Sequence, residues 1–195
     1  MELDNYLESC AGRGRYACFT GQNRLMFITH RTNKYTELDE IKMVIKGGCN
    51  WVQLRMKDNL NLEVAKEVSH FTLFKGGLDC VCCLDDNLEM AIKAGIHCVH
   101  LGKNDMPVSE AWRIIIEKGL DDLFLVGATA NTFEDILKAD REGASYIGLG
   151  PYRFTETKKN LSPVLGLEGY QKIMVQYREA VLEIPIFAIG GIQFE

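Results

Sequence analysis

A chain of 195 residues with 47% apolar and 25% charged side chains carries enough apolar surface for a packed core, which excludes disordered and collagen-like chains. Twenty-two Lys and Arg against 27 Asp and Glu leave a net charge of −5, with no basic stripe to release counterions from a nucleic-acid backbone. No apolar run approaches the roughly 20 residues of a membrane-spanning helix, and the N-terminal stretch lacks a secretory apolar segment. Neither a nucleic-acid nor a membrane partner is therefore expected, and the expected location is cytoplasmic.

Residues 1–24 fit no repeating unit, contain Gly12-Arg13-Gly14-Arg15 among polar residues, and read as an N-terminal extension with one short helix before Cys10. From residue 25 onward, short β-like runs alternate with longer helical patterns, the signature of βα units around a parallel sheet. Strands are expected at Leu25–Thr29, Trp51–Arg55, Asp79–Leu84, His97–Leu101, Leu123–Gly127, Tyr146–Leu149 and Ile186–Ile189. Helices are expected near Glu37–Lys46, Leu62–Lys75, Leu88–Ala94, Ser109–Lys118, Phe133–Glu142 and Leu167–Leu182, several with apolar residues at three-and-four spacing. Thr132 precedes Phe133-Glu134-Asp135, a hydroxyl N-cap followed by carboxylates in the first turn, and Ser109 is placed to do the same before Glu110. Gly47-Gly48, Gly76-Gly77, Gly95, Gly119 and Gly143 each follow a helical pattern and serve as stops.

Seven strands at this spacing fit an open doubly wound sheet or a barrel one unit short. An open sheet usually places its phosphate-binding glycines after the first strand, where this chain has Thr29-His30-Arg31-Thr32. Its glycines come late, as Gly148-Leu149-Gly150 and Gly190-Gly191, which is where a barrel with its phosphate site at the last strands would have them. The expected fold is thus α/β, a (β/α)8 TIM barrel truncated after the seventh strand. The seven cysteines form no repeated Cys-x-x-Cys pair, and Cys80-Val81-Cys82-Cys83 sits in an apolar run where thiols pack as small hydrophobes.

The second strand carries the first chemical signal. Val52, Leu54 and Met56 share one face, while Gln53, Arg55 and Lys57 share the other. At a strand's carboxyl end in a parallel barrel, Arg and Lys suit a phosphate or diphosphate, or else a solvated strand end. Asp85-Asp86 follows the third strand and Asn104-Asp105 the fourth. Loops from adjacent strands start only about 5 Å apart, so a carboxylate from each could converge on Mg²⁺ with ligand oxygens and water, or either acid could cap its helix. For Asp85 capping is the expectation. Residues 150–160 form a long polar loop with two hydroxyls and cations, of a length that is usually functional.

These residues bring a family into view. Gln53-Leu54-Arg55-Met56-Lys57, Asp86, His100-Leu101-Gly102-Lys103-Asn104-Asp105-Met106-Pro107, Tyr146-Ile147-Gly148-Leu149-Gly150-Pro151, Thr155-Glu156-Thr157-Lys158 and Ala188-Ile189-Gly190-Gly191-Ile192 closely resemble the thiamine phosphate synthases, in order and spacing from about Leu25 onward. The resemblance implies a (β/α)8 barrel transferase that joins 4-amino-2-methyl-5-hydroxymethylpyrimidine diphosphate to a thiazole phosphate. It further implies that Gln53, Arg55 and Lys57 hold the pyrimidine diphosphate, that Asp86 and Asp105 bind Mg²⁺, and that Thr155, Thr157 and Gly191 contact the thiazole phosphate. Lys158 would reach the diphosphate, and Arg55, Lys57 and Lys158 would be the cations that stabilise departing pyrophosphate in a dissociative mechanism.

Three departures stand out. Where the family usually has Asn before the first metal Asp, this chain has Asp85, which keeps an acceptor in the substrate-binding position but loses the amide donor. The family's Ser after the fifth strand is matched by Thr129, which keeps the hydroxyl for substrate binding. The sequence stops at Glu195, where the family continues with an eighth strand and helix, so residues 25–195 are expected to form a synthase domain lacking its last unit. The rival readings are the related thiazole tautomerase, whose acid-base His is here Asn131, and an inactive phosphate-binding relative. Asn131 cannot exchange a proton at neutral pH. His100 is expected to be a hydrogen-bonded core or ligand-facing residue, and His97 to serve the fold. Oligomeric state stays open, a homo-oligomer among the options.

Overall fold

The computed structural model describes residues 25–57, 60–75, 80–155 and 162–193. The segment 1–24, read above as an extension, lies outside the described residues. Among these residues seven strands, β1 (Met26–Ile28), β2 (Trp51–Leu54), β3 (Val81–Asp85), β4 (Cys98–Leu101), β5 (Leu125–Ala130), β6 (Tyr146–Leu149) and β7 (Ile186–Ala188), alternate with six helices. The helices are α1 (Glu37–Lys46), α2 (Leu62–Lys75), α3 (Leu88–Ala94), α4 (Val108–Glu117), α5 (Phe133–Arg141) and α6 (Gly166–Glu179). Every strand pairs in parallel with its chain neighbour, in the order β1 to β7.

Two apolar layers explain the curvature. Outward-facing strand residues such as Val52, Leu54, Leu84, Val99, Leu101, Val126 and Ile147 meet Ile41, Val68, Ala91, Ile115 and Ile136 of the helices. The inward face collects Trp51, Cys83, Cys98 and Tyr146 with Met26, Val81, Leu125 and Phe187. Trp51 of β2 meets Tyr146 of β6 and Phe187 of β7 edge-on, at centroid distances of 5.0 and 4.7 Å. Side chains from the second and last strands can touch only if the sheet curls, so the seven strands form most of a barrel filled by its own side chains, as parallel barrels require. Of the thiols in the expected apolar run, Cys83 lies in the inward layer and Cys82 packs against the outer one, while burial pushes the Cys80 thiol up to about 12 and raises Cys83 as well.

Among the described residues the strand and helix reading holds in order and number, with three local corrections. Strand β5 starts at Leu125 and runs to Ala130, past its expected end at Gly127. Leu123 and Phe124 instead donate their amides to the Leu120 carbonyl in a turn, and Ala128, Thr129 and Ala130 continue the ladder against Ile147, Gly148 and Leu149. Ser109 does not cap α4: Pro107 stands at the N-cap with no side-chain bond, which puts Ser109 inside the helix. Asp85 does not cap α3 either. The cap is Asn87, whose side chain accepts from the Met90 amide, because Asp85 is still strand. Thr132 caps α5 as expected, in a reciprocal box with Asp135.

Gly127 is required by close approach. A Cβ built there would lie 2.1 Å from the Tyr146 ring, so the missing side chain on β5 is the space that ring fills. Gly127→Ala is expected to lower unfolding free energy by about 1–3 kcal/mol or more, the usual cost of overpacking a closed core. Chemical denaturation of the variant against the parent chain measures it, and an unchanged midpoint would show that Tyr146 has room to move.

Candidate active site

The carboxyl ends of the strands carry the polar groups. β2 turns Gln53 inward, 2% exposed, and Arg55 follows on the same face. Between them stands Asp85, the last residue of β3: Gln53 Nε2 donates to its Oδ1 at 2.5 Å, and Arg55 Nε lies 3.3 Å from its Oδ2. The ion pair is largely buried, the two side chains being 14% and 10% exposed. Burial pushes the Asp85 carboxyl up to about 6 against the opposing pull of Arg55, Gln53 and Lys57. Thr29 secures the end of β2 by accepting the Arg55 amide at 2.8 Å. Lys57 sits at the exposed rim.

Beyond β3 the chain turns sharply. Asp86 takes a left-handed backbone, φ 65, and its amide donates to the His100 carbonyl at 2.8 Å, which brings its side chain beside that of Asp105 over Gly102. Burial first, then the neighbouring Asp85 and Asp105, pushes the Asp86 carboxyl up to about 7. Asp105 is itself fixed by the Gly102 amide, which donates to its Oδ2 at 2.6 Å. A Cβ on Gly102 would stand 2.7 Å from that oxygen and 4.0 Å from Asp86 Oδ1, so the carboxylate pair rests over a bare backbone. Among the described residues no three His, Cys, Asp or Glu side chains converge as a protein-only metal site. A cation held by Asp86 and Asp105 would need further oxygens from water or a ligand, which is how Mg²⁺ is commonly bound.

Deeper in the barrel, His100 is 5% exposed and joins Tyr146 Oη at 3.1 Å through Nδ1 and Thr129 Oγ1 at 2.9 Å through Nε2. Tyr146 Oη also contacts Cys83 Sγ at 3.5 Å. The expected hydrogen-bonded His100 is thus present, and it fixes the Thr129 hydroxyl. Past β6, the Tyr152 and Arg153 amides donate to the Ile189 and Gly190 carbonyls at 2.8 and 3.0 Å. Gly191, at φ 70, packs so closely that an added Cβ would fall 2.8 Å from the Arg153 and Phe154 carbonyl oxygens. The loop after β7 therefore lies directly on the segment leading to Thr155, whose own side chain is half-buried.

A family model described as thiamine monophosphate synthase matches residues 25–195. The chain belongs to this family. A thiamine-phosphate synthase of Bacteroides thetaiotaomicron is 47% identical over 171 residues, 88% of this chain and 79% of the relative. Another, from Bacteroides fragilis, is 47% identical over the same length, 88% of this chain and 81% of its own. The solved structure of a thiamine phosphate pyrophosphorylase from Pyrococcus furiosus superposes with a TM-score of 0.70 at 27% identity, over 88% of this chain and 77% of that one.

For a member of the thiamine monophosphate synthase family, the site separates into two halves. Gln53, Arg55, Lys57, Asp85, Asp86, Asp105 and Thr129 gather at the ends of β2 to β5, and Thr155 and Gly191 lie at the ends of β6 and β7. Thr157 and Lys158 fall outside the described residues. Sequence reasoning missed Thr29, Gly102 and Tyr146, which act on other residues rather than outward. Of these only Gly102 had a visible signal, a glycine three places before an acid in a strand-to-helix loop.

The carboxylate pair makes the site pH-sensitive. The Asp86 pKa is raised in the fold above its ordinary value of 3.8, so the folded protein binds that proton more tightly than the unfolded chain. Its contribution is fully present below about pH 4 and is lost as pH rises to about 7. Asp86→Asn removes the titration, and Asn tolerates a left-handed backbone. With divalent cations chelated, the melting temperature of Asp86→Asn relative to the parent is expected to climb between about pH 4.5 and pH 7.5. A difference independent of pH would refute the raised pKa of Asp86.

Proposed function

We propose that this chain is a thiamine phosphate synthase that condenses 4-amino-2-methyl-5-hydroxymethylpyrimidine diphosphate with a thiazole phosphate, giving thiamine phosphate and pyrophosphate. Family membership and relatives named thiamine-phosphate synthase support the transferase activity. The observation that carries the reading to specific residues is the carboxylate pair Asp86 and Asp105 set beside Arg55 and Lys57 at the carboxyl end of the sheet. Opposed clusters of that kind suit a diphosphate with its cation.

In this reading Arg55, with its guanidinium held against Asp85, and Lys57 bind the diphosphate, joined by Lys158. The Gln53 Oε1 is buried with no protein partner among the described residues, a cost that an amino group on the pyrimidine would relieve. Thr129, fixed by His100, and Asp85 complete the pyrimidine pocket, while Thr155, Thr157 and Gly191 hold the thiazole phosphate. Asp86 and Asp105 fit Mg²⁺ in donor type and mutual repulsion, and the bound ion would neutralise charge on the diphosphate. The bond from the pyrimidine methylene to the diphosphate oxygen breaks with both electrons leaving on pyrophosphate, where Arg55, Lys57 and Lys158 meet the developing charge. The thiazole nitrogen then gives its lone pair to the methylene carbon. No side chain needs to form a covalent intermediate, and Cys83, two residues before Asp85, is buried in the apolar floor with its pKa raised by that burial.

The test is product formation from both substrates with Mg²⁺, followed by chromatography of thiamine phosphate. Asp105→Asn is expected to raise the Mg²⁺ concentration for half-maximal rate by about tenfold or more. His97→Gln is expected to change it little, because His97 packs edge-on against Phe124 at 5.6 Å in the outer layer. Equal effects would remove Asp105 from the metal site, and no product from folded parent protein would remove the synthase reading.

A further inference from the structure

Asn131 stands just past the end of β5, and its side chain is engaged at both ends. Nδ2 donates to the Gly150 carbonyl, at the start of the β6–α6 connection, and Oδ1 accepts from Ser162 Oγ at 2.8 Å, at the far side of that connection. A primary amide supplies donor and acceptor together, so one side chain joins the two ends of the loop. Backbone bonds continue the closure: Leu165 donates to the Pro151 carbonyl at 2.9 Å and Gly166 to that of Tyr152 at 3.1 Å.

The clamp has its own anchor. Asp135 Oδ2 accepts the Asn131 amide at 2.9 Å, the Thr132 amide at 3.1 Å and Lys103 Nζ at 2.8 Å. Lys103 belongs to the turn between Gly102 and Asp105. Although burial works the other way, Lys103 and the two amides hold the Asp135 carboxyl below its ordinary value, so the acceptor stays charged. A continuous set of bonds therefore runs from the loop of Asp105, through Asp135 and Asn131, to both ends of the loop that leads to Thr155.

We propose that Asn131 is a positioning residue for the thiazole-phosphate half of the site: it clamps the ends of the β6–α6 loop and ties them to the Asp105 loop through Asp135 and Lys103. The assignment to thiazole phosphate rests on the synthase reading above, whereas the clamp itself does not.

Two measurements separate these. In steady-state kinetics, Asn131→Ala is expected to raise KM for the thiazole phosphate about tenfold, while KM for the pyrimidine diphosphate stays within about twofold, as expected for losing hydrogen bonds that order one half-site. Asn131→Asp is expected to resemble Asn131→Ala despite its matching shape, because a carboxylate cannot donate to Gly150. Ser162→Ala should act in the same direction more weakly, and its combination with Asn131→Ala should be no worse than Asn131→Ala alone. In hydrogen exchange of the unliganded chain, Asn131→Ala is expected to speed exchange at the Leu165, Gly166 and Tyr152 amides by about tenfold, with Val52, Val99 and Val126 unchanged. Unchanged exchange at the loop amides, or faster exchange throughout the sheet, overturns the clamp. Faster loop exchange with both KM values unaltered, or both raised alike, overturns the positioning role. If the parent chain makes no thiamine phosphate, the synthase reading fails by itself and the exchange data still decide the clamp.

Discussion

One hydrogen-bonded row across the sheet sets most of what lies above it. Asp85 stands opposite His100, His100 opposite Gly127, and Gly127 opposite Tyr146, while Arg55, one place past the paired Leu54 and Leu84, meets Asp85. All of these positions face the barrel interior because side chains alternate along a strand. A slip of one residue in any pair would turn its members toward the helices and separate Arg55 from Asp85 or His100 from Tyr146. Register is held by the outer layer, where Val52, Leu84, Val99 and Val126 are fully buried against helices. The apolar face thus decides the geometry of the polar one.

Within that row the interior changes character from bottom to top. Trp51, Cys98 and Phe187 fill the floor with apolar volume, and the Tyr146 ring leans into the gap at Gly127. Its hydroxyl then serves as the first polar group of a connected set that ends at Thr129. Placing a histidine at 5% exposure is tolerable because both ring nitrogens have partners, which avoids the penalty of an unsatisfied buried donor or acceptor. At the top the balance reverses. Asp85, Asp86 and Asp105 are brought together although burial and mutual repulsion push two of them toward the neutral form. Arg55 and Lys57 offset part of that cost. Such local instability at a site is expected where function and not folding selects the residues.

The sequence made the architecture legible because its signals were local and repeated. Seven apolar runs alternated with amphipathic ones, and the Gln53-Arg55-Lys57 face could be read from period two alone. The helix end at Thr132 was likewise legible, since hydroxyl and acid stand three residues apart. What escaped was set by contacts distant in sequence. Whether Asp85 ends a strand or caps a helix depends on Gln53 and Arg55, which are far away in the chain, and the local pattern Asp85-Asp86-Asn87 offers three plausible caps. The extension of β5 through Thr129 depends on its pairing with β6, and nothing near Gly127 announces the Tyr146 ring that needs the space there. Ser109 looked like a cap for the same reason: Pro107, acceptable before a first turn, had already started the helix.

The amide at Asn131 suits a bonding role better than an acid-base one. A side chain that cannot exchange protons at neutral pH has no use as a general base, but its fixed donor and acceptor keep the same bonding pattern at every working pH. A histidine in that place would change its donor count on protonation and loosen one of the two partners, Gly150 or Ser162. For chemistry driven by charge separation, in which no side chain must take up a proton at this position, a loop held independently of pH is the better arrangement. Asp85 and Asp86, whose carboxyls burial pushes up, stand apart from this clamp.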